Sequence, residues 1–181
     1  MYPPIATLDP VIAQRTITFM SPSKTFNLPG LGCAFAIIPN RPLRQKFRRT
    51  MAGIVPGVNL LGFVACLAAY RDSSDWLTEL LAYLRANCDF VKKTINRIPG
   101  LSMNHVEATY LAWIDTRGTG IGEPIKFFVR AGVGLADGSA FGGPGFVRLS
   151  FACPQSTLTE ALTRMGREIE KHIHPNRLKE N

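Results

Sequence analysis

Residues 15–39, RTITFMSPSKTFNLPGLGCAFAIIP, carry the strongest structural signal in this chain of 181 residues. The β-branched and aromatic residues of 16–20 predict a buried strand, and the apolar run 33–38 predicts a second one. The polar SPSK segment between them is typical of a turn, because proline and serine favour one. Two apolar strands joined by a tight polar loop indicate a central sheet with a ligand-binding loop at its edge.

The rest of the chain predicts an alternation of helices and strands. Apolar residues at helical spacing, with Pro and Gly at the ends, predict helices over 41–50, 60–70, 75–98, 124–131 and 156–173. Shorter β-branched and aromatic runs predict strands over 110–115 and 146–152. This alternation predicts an α/β fold.

Composition indicates an ordinary globular protein with a basic surplus. There are 21 Lys and Arg against 13 Asp and Glu, a formal net charge of +8, which is compatible with an anionic partner. No nucleic-acid-binding motif or aromatic platform is present, so a solvated helix face is favoured over a nucleic-acid-binding module. The basic run consists of Arg41, Arg44, Lys46, Arg48 and Arg49.

Metal-binding and membrane-spanning proteins are both disfavoured. The cysteines form no CxxC pair and no histidine has partners at ligand spacing, so we expect no metal site. Residues 51–70 carry no charge, but Pro56, Gly57 and Asn59 divide them into a loop and a short apolar helix, so we expect no membrane span. Without a secretory signal, a cytoplasmic location with reduced thiols is expected.

Lys24 is the sharpest candidate for a catalytic residue. A lysine that forms an imine needs a rigid backbone and a deprotonated amine. Lys24 follows the predicted strand closely, and the hydroxyls of Ser21 and Ser23 can donate to a phosphate. An isolated SxSK motif is also typical of a surface turn with a solvated lysine, so the motif alone leaves both interpretations open.

The longer string TFMSPSKTFNLPGLGCAFAIIPN, residues 18–40, resembles the cofactor-lysine segment of fold-type-I pyridoxal 5′-phosphate (PLP) enzymes. The resemblance is closest to cystathionine β-lyase-type C–S lyases, beside the class I and II aminotransferases, and it covers most of the chain. It implies the aspartate-aminotransferase fold, PLP as cofactor, an amino-acid substrate and a homodimer. It further implies that Lys24 forms the Schiff base and that Ser21 and Ser23 contact the cofactor.

Two further residues gain a role from the same resemblance. Arg148, in GFVRLSFACP, is implied to pair with the substrate α-carboxylate, which suits the two parallel hydrogen bonds of a guanidinium group. Folding must then bring Arg148 and Lys24 to one pocket. Asn59, in PGVNLLG, is implied to lie at the dimer interface and reach the neighbouring active site. An asparagine that hydrogen-bonds its own backbone is an equally good interpretation.

The resemblance also draws attention to two segments of the last third. It places the strand that holds Tyr110 and Trp113 near the substrate side chain, although core packing is the favoured interpretation for both aromatics. The glycine-rich residues 138–145 are either a loop that closes over substrate or a simple connector.

The sequence departs from the family pattern in two ways. Gly32 occupies the position at which many aminotransferases have a phosphate-binding arginine, which favours the lyase branch. Family members are considerably longer, so we expect the N-terminal half to be absent and the isolated chain to be weak or inactive. The expected organisation is the C-terminal part of a PLP-binding large domain (1–70), a small C-terminal domain (71–175) and a polar tail (176–181).

The sequence thus predicts a PLP-dependent C–S β-lyase acting on cystathionine or a cysteine S-conjugate. A class I or II aminotransferase would use the same Lys24 and Arg148, so it remains the first alternative. A non-catalytic dimerising segment or a basic nucleic-acid-binding module is the second.

Overall fold

The computed structural model describes residues 3–174, and the predicted polar tail 176–181 lies outside the described residues. The chain divides into two compact units between Glu79 and Leu80. The predicted boundary, between residues 70 and 71, falls earlier in the chain. The assignment of the two parts to a large and a small domain stays a prediction.

The first unit is built around a small antiparallel ribbon. Strands β1 (Thr18–Met20) and β2 (Phe35–Ile37) pair so that Phe19 faces Ala36. Its helices are α1 (Pro10–Ala13), α2 (Pro22–Thr25), α3 (Arg41–Met51), α4 (Leu60–Asp72) and the start of α5 (Ser74–Ile95). The strands and helices predicted here are therefore present, with shorter strands.

The burial predicted for these two strands is wrong. The side chain of Phe19 is 67% exposed and that of Ile37 is 47% exposed. Within residues 3–174, β1 pairs with β2 alone, so each strand has one unpaired edge, and residues on both faces of the ribbon are exposed. An apolar run identifies a strand, but it cannot specify what covers the strand's faces.

Asparagine side chains begin the two long helices of this unit. Asn40 Oδ1 accepts a hydrogen bond from Leu43 N at 3.0 Å, and Asn59 Oδ1 accepts one from Gly62 N at 2.8 Å. Each bond satisfies a backbone donor that the first helical turn leaves free, which is why asparagine is favoured at this position.

The second unit contains a four-stranded antiparallel sheet in the order β3-β4-β6-β5. Its strands are β3 (Ser102–Met103), β4 (Leu111–Asp115), β5 (Ala136–Asp137) and β6 (Phe146–Ser150). Helices α6 (Pro124–Arg130) and α7 (Gln155–Ile173) and the rest of α5 complete the unit. The structure is the mixed α/β fold that the sequence predicts.

The core of the second unit lies between one face of the sheet and the helices. Alternate residues of β4 and β6 are buried, as expected for strands with one covered face. Helix α7 contributes an apolar stripe at helical spacing. The buried residues of these three elements are Ala112, Ile114, Val147, Leu149, Leu158, Leu162, Met165 and Ile169.

Two polar contacts hold α5 against the segment before α7. Asn87 is buried, and its Nδ2 donates to the carbonyl oxygens of Phe151 at 2.9 Å and Cys153 at 3.1 Å. Gln155 N donates to the hydroxyl of Tyr83 at 2.7 Å, so a tyrosine from another helix satisfies a donor at the start of α7. Both contacts fix the end of the segment that continues from β6.

Within residues 3–174, no helix combines the length and the apolarity that a membrane span requires. Within the same residues, no three His, Cys, Asp or Glu side chains are grouped so that they could hold a metal ion.

Candidate active-site residues

The segment SPSKTFN forms a single helical turn that is closed at both ends. Ser21 Oγ accepts from Ser23 N at 3.1 Å and begins α2, and Pro22 at the first helical position has the φ that a helix needs. At the other end Leu28 N donates to Ser23 O at 3.0 Å, while Asn27 adopts a φ of 54°. Asparagine tolerates this left-handed conformation at helix ends. The predicted turn is thus a capped helical turn.

Lys24 stands on this turn and is exposed. The turn is tied to the segment before β2, because Ser21 Oγ donates to the carbonyl oxygen of Cys33 at 2.7 Å. Among residues 3–174, the Lys24 amine has no hydrogen-bond or salt-bridge partner. A lysine with a fixed backbone and a free amine can take part in covalent chemistry.

The hydroxyls of Ser21 and Ser23 lie 2.7 Å apart. Ser21 has one proton, and the bond to Cys33 O uses it. The Ser23 hydroxyl can rotate, so it can donate either to Ser21 Oγ or to an anion outside the turn. The pair therefore offers one internal bond that fixes the turn and one hydroxyl for a ligand.

Gly32 has a φ of 59°, the left-handed region that favours glycine. An arginine at this position would carry a backbone strain of about 1–2 kcal/mol. The departure from the aminotransferase pattern at Gly32 therefore coincides with a backbone conformation that suits glycine.

Asn59 caps α4 and also bridges to another segment. Besides accepting from Gly62 N, it donates from Nδ2 to the carbonyl oxygen of Leu31 at 3.0 Å. Gly62 lies against the same carbonyl, since a Cβ built on it would be 2.6 Å from Leu31 O. Asn59 thus holds the loop that follows the Lys24 turn, and its predicted place at a dimer interface stays a prediction.

Arg148 lies at the centre of β6, on the face of the sheet opposite the core. Its backbone partners are Trp113 in β4 and Ala136 in β5. The guanidinium carbon lies 4.2 Å from the ring centroid of Phe141, a cation–π contact that holds the group over an aromatic face. Within residues 3–174 no salt bridge involves Arg148, so its two parallel donors are free for a carboxylate.

Trp113 belongs to the same face as Arg148, so the interpretation of Trp113 as a core residue is wrong. Strand residues alternate between faces, and the buried residues of β4 are its neighbours Ala112 and Ile114. Trp113 instead stacks on Phe146, with centroids 5.5 Å apart, and meets Phe141 edge-on at 6.3 Å. Tyr110 does pack against the core, as predicted.

Phe141 is a neighbour of Arg148 that the sequence patterns do not predict. It lies in the short 3-10 helix Gly138–Phe141, inside the glycine-rich segment for which a closing loop or a connector was predicted. An aromatic residue in a run of small residues, GSAFGGPG, is the signal that could have identified it.

A second arginine on this face is already paired. Arg117 makes a two-pronged salt bridge with Asp115, with Nη2 to Oδ2 at 2.7 Å and Nε to Oδ1 at 3.0 Å. The hydrogen bonds from Arg117 lower the pKa of the Asp115 carboxyl, so the pair stays charged at neutral pH. The guanidinium available to a ligand on this face is therefore that of Arg148.

The chain belongs to the family of class I and II aminotransferases, since the family description "Aminotransferase class I and II" matches residues 1–165. This matched range contains Ser21, Ser23, Lys24, Asn59 and Arg148. Lys24 and Arg148 lie in different units, and the prediction that they share one pocket stays a prediction.

The proteins that resemble this chain include a cystathionine beta-lyase and a solved structure that contains PLP. The chain is 35% identical over 157 residues to cystathionine beta-lyase of Corynebacterium glutamicum, covering 85% of this chain and 42% of that protein. It superposes on the crystal structure of OvoB with a TM-score of 0.87 and 49% identity, covering 91% of this chain and 43% of the other. It also superposes on cystalysin from Treponema denticola, whose structure contains a pyridoxal 5′-phosphate cofactor. That TM-score is 0.83 with 31% identity, covering 91% of this chain and 44% of cystalysin.

The chain spans less than half the length of the curated relatives it matches. The shares are 44% and 42% for the cystathionine beta-lyases of Bacillus subtilis and Corynebacterium glutamicum.

Proposed function

We propose that the protein carrying this sequence is a PLP-dependent C–S β-lyase of amino acids, in which Lys24 holds the cofactor and Arg148 binds the substrate carboxylate. One observation carries the proposal. The free amine of Lys24 stands on a turn capped by Ser21, in a chain 35% identical to a cystathionine beta-lyase. Among the curated relatives, the aspartate aminotransferase of Pyrococcus horikoshii is more distant, at 26% identity.

The residues of the Lys24 turn fit pyridoxal phosphate. A primary amine can bind the cofactor covalently, and the Ser23 hydroxyl can donate to its phosphate while Ser21 keeps the turn in place. When bound, PLP supplies an electron sink that allows the substrate α-carbon to carry negative charge. Gly32 provides no cation for the phosphate, so in this proposal hydroxyl and backbone donors carry more of its contacts.

The remaining steps belong to side chains of this chain. Arg148 fixes the orientation of the substrate through two parallel hydrogen bonds to its α-carboxylate. The Lys24 amine, when not bonded to the cofactor, accepts the proton of the substrate α-carbon as a general base. Departure of the sulfur from the β-carbon then gives a thiol, and the remaining product hydrolyses to pyruvate and ammonia.

The finer assignments are parts of the same proposal. The substrate is an amino acid with sulfur on its β-carbon, such as cystathionine or a cysteine S-conjugate. The active protein is a homodimer in which Asn59 lies near the subunit interface, and it works in the cytoplasm. Within this chain, Asn59 fixes the loop at Leu31 that follows the Lys24 turn.

The test compares products from one substrate. The native protein that carries this sequence is incubated with PLP and cystathionine, with and without 2-oxoglutarate, and thiol, pyruvate and glutamate are measured. We expect thiol and pyruvate in equal amounts, independent of 2-oxoglutarate. Glutamate formation that requires 2-oxoglutarate, without pyruvate, would overturn the lyase assignment in favour of an aminotransferase.

Arg148→Lys is expected to lower kcat/KM for cystathionine about 10²-fold. Lysine keeps the positive charge but loses the second parallel hydrogen bond, and hydrogen bonds to charged groups contribute about 1.5–3 kcal/mol. The measurement is steady-state kinetics of thiol release. Arg130→Lys, at the exposed end of α6, is the control and should leave kcat/KM unchanged.

A substrate analogue without the α-carboxylate separates this role from a structural one. Arg148→Lys should change the rate with that amine by less than about threefold, since nothing remains for the guanidinium to bind. An equal loss with both substrates would contradict the carboxylate role of Arg148.

A further inference from the structure

The segment between the Lys24 turn and β2 runs along one face of α4. At its start, the Leu31 carbonyl accepts from Asn59 Nδ2 and faces Gly62, where a Cβ would lie 2.6 Å from the carbonyl oxygen. At its end, the ring of Phe35 meets the ring of Tyr70 edge-on, with centroids 5.7 Å apart. The segment is therefore anchored to α4 at both ends.

Two cysteines lie midway between these anchors. Cys33 is central between Leu31 and Phe35, and Cys66 is central between Gly62 and Tyr70. Residues four apart share a helix face, so Gly62, Cys66 and Tyr70 form one row. The geometry therefore sets Cys33 beside Cys66, and both are free thiols.

The protonation behaviour of this group agrees with that placement. Burial raises the pKa of the Cys66 thiol, and the neighbouring Cys33 thiol raises it further. Burial also raises the pKa of Tyr70, and the nearby Cys66 and Cys33 thiols raise it further by smaller amounts. The Cys33 thiol thus acts on Cys66, and both thiols act on the Tyr70 hydroxyl.

We propose that Cys33 and Cys66 are an oxidative modification site, at which a low-molecular-weight disulfide such as glutathione disulfide closes an intramolecular disulfide bond. Disulfide bonds require α-carbons about 4.4–6.8 Å apart, a distance compatible with a segment packed directly on a helix. Cys33 and Cys66 are far apart in the sequence, so their spacing does not predict that they are neighbours.

Exposure sets the order of the two exchange steps. Cys33 is 6% exposed, whereas Cys66 is half-buried, so Cys66 meets the oxidant first. The Cys66 sulfur, after losing its proton, attacks one sulfur of glutathione disulfide, and one glutathione leaves as a thiol with that proton. The Cys33 sulfur then attacks the Cys66 sulfur in the mixed disulfide, and the second glutathione leaves with the Cys33 proton. Two protein thiols are oxidised and one glutathione disulfide is reduced to two thiols.

Oxidation of Cys33 would affect the Lys24 turn through one hydrogen bond. The Cys33 carbonyl accepts from Ser21 Oγ at 2.7 Å, and Ser21 caps α2. A disulfide that moves Cys33 alters this anchor, so oxidation is expected to weaken PLP binding several-fold. This consequence rests on the proposed function, whereas the disulfide itself does not.

The experiment treats the purified chain with glutathione disulfide, alkylates the remaining thiols and maps the peptides by mass spectrometry. We expect a linked Cys33–Cys66 peptide that dithiothreitol reverses, while Cys88 and Cys153 are alkylated. In Cys33→Ser, a glutathione adduct should remain on Cys66, and in Cys66→Ser, Cys33 should stay unmodified.

Three results would overturn the proposal. In the first, the wild-type protein retains the mixed disulfide at Cys66. In the second, Cys33 or Cys66 forms a disulfide bond with Cys88 or Cys153. In the third, Cys66 is not modified at all. PLP binding is measured separately on the oxidised and reduced native protein that carries this sequence. A disulfide with unchanged PLP binding would refute the coupling to Ser21 and keep the modification site. Absence of PLP binding in the reduced native protein would count against the proposed function alone.

Discussion

Lys24→Ala is expected to abolish covalent attachment of PLP to this chain. The native wild-type protein that carries this sequence, mixed with PLP and treated with sodium borohydride, should carry a stable pyridoxyl group on the peptide that contains Lys24. We expect this label because the backbone of Lys24 is fixed by the Ser21 cap and by the hydrogen bond from Leu28 N to Ser23 O, and the Lys24 amine is free. The measurement is peptide mapping by mass spectrometry, together with visible absorbance before reduction.

Matched lysine variants show whether the site is specific. Lys46 is also an exposed helical lysine, and Lys46→Ala should retain full labelling at Lys24. Lys24→Arg keeps the positive charge and the helical turn but cannot form the bond, so it should lose labelling as completely as alanine does. Labelling spread evenly over the exposed lysines, and unchanged by Lys24→Ala, would refute the assignment.

The local structure at Lys24 follows from sequence, but its surroundings do not. Serine before proline begins a helical turn, and asparagine tolerates the left-handed end, so the order SPSKTFN specifies the turn by itself. The exposure of Phe19 could not be predicted, because it depends on which other layers lie against β1. Local chemistry is encoded within a few residues, whereas burial depends on contacts between distant ones.

The face that holds Arg148 shows the same limit. The predicted strand was correct, but the favoured interpretation placed Trp113 in the core. Strand periodicity gives two alternating sets and leaves open which set faces inward. Here Ala112 and Ile114 face inward, and Trp113 joins Phe141 and Arg148 on the other face. The large aromatic side chain of Trp113 therefore does not mark the buried face of β4.

The proximity of Cys33 and Cys66 was also invisible in the sequence. It arises because Gly62 allows the Leu31 carbonyl to approach α4, which sets the register of the next residues. A glycine inside a helix usually costs stability, about 1 kcal/mol relative to alanine. At Gly62 the close backbone approach explains why glycine is present.

Gly100→Ala is expected to lower the free energy of unfolding of the second unit by about 2–5 kcal/mol. Gly100 has a φ of 78°, which costs alanine about 1–2 kcal/mol. A Cβ there would also lie 2.7 Å from the backbone carbon and oxygen of Gly118 and 2.8 Å from the Cα of Thr119. Because these are backbone atoms, the clash requires two chain segments to separate, which adds about 1–3 kcal/mol.

Gly120→Ala is the matched control for the backbone strain. Gly120 has a φ of 71°, and nothing lies within 4 Å of a Cβ built on it. Its alanine variant should therefore lower the free energy of unfolding by about 1–2 kcal/mol, from backbone strain alone. Urea unfolding is followed by the fluorescence of Trp113, with Trp76 replaced by phenylalanine so that one unit is reported. Equal losses in the two variants would show that the contact of Gly100 with Gly118 does not constrain the fold.

The same contact supports the position of Arg148, so the variant should affect more than stability. Thr119 Oγ1 donates to Thr116 O at 2.7 Å, and Thr116 Oγ1 donates to Gly145 O at 2.9 Å, directly before β6. Separation of Gly100 from Gly118 would loosen this path and with it the start of the strand that holds Arg148. Native-state hydrogen exchange at the amides of 116–119 and at Phe146 should accelerate together in Gly100→Ala. It should change little at these amides in Gly120→Ala, since that substitution leaves the packing of the two segments intact.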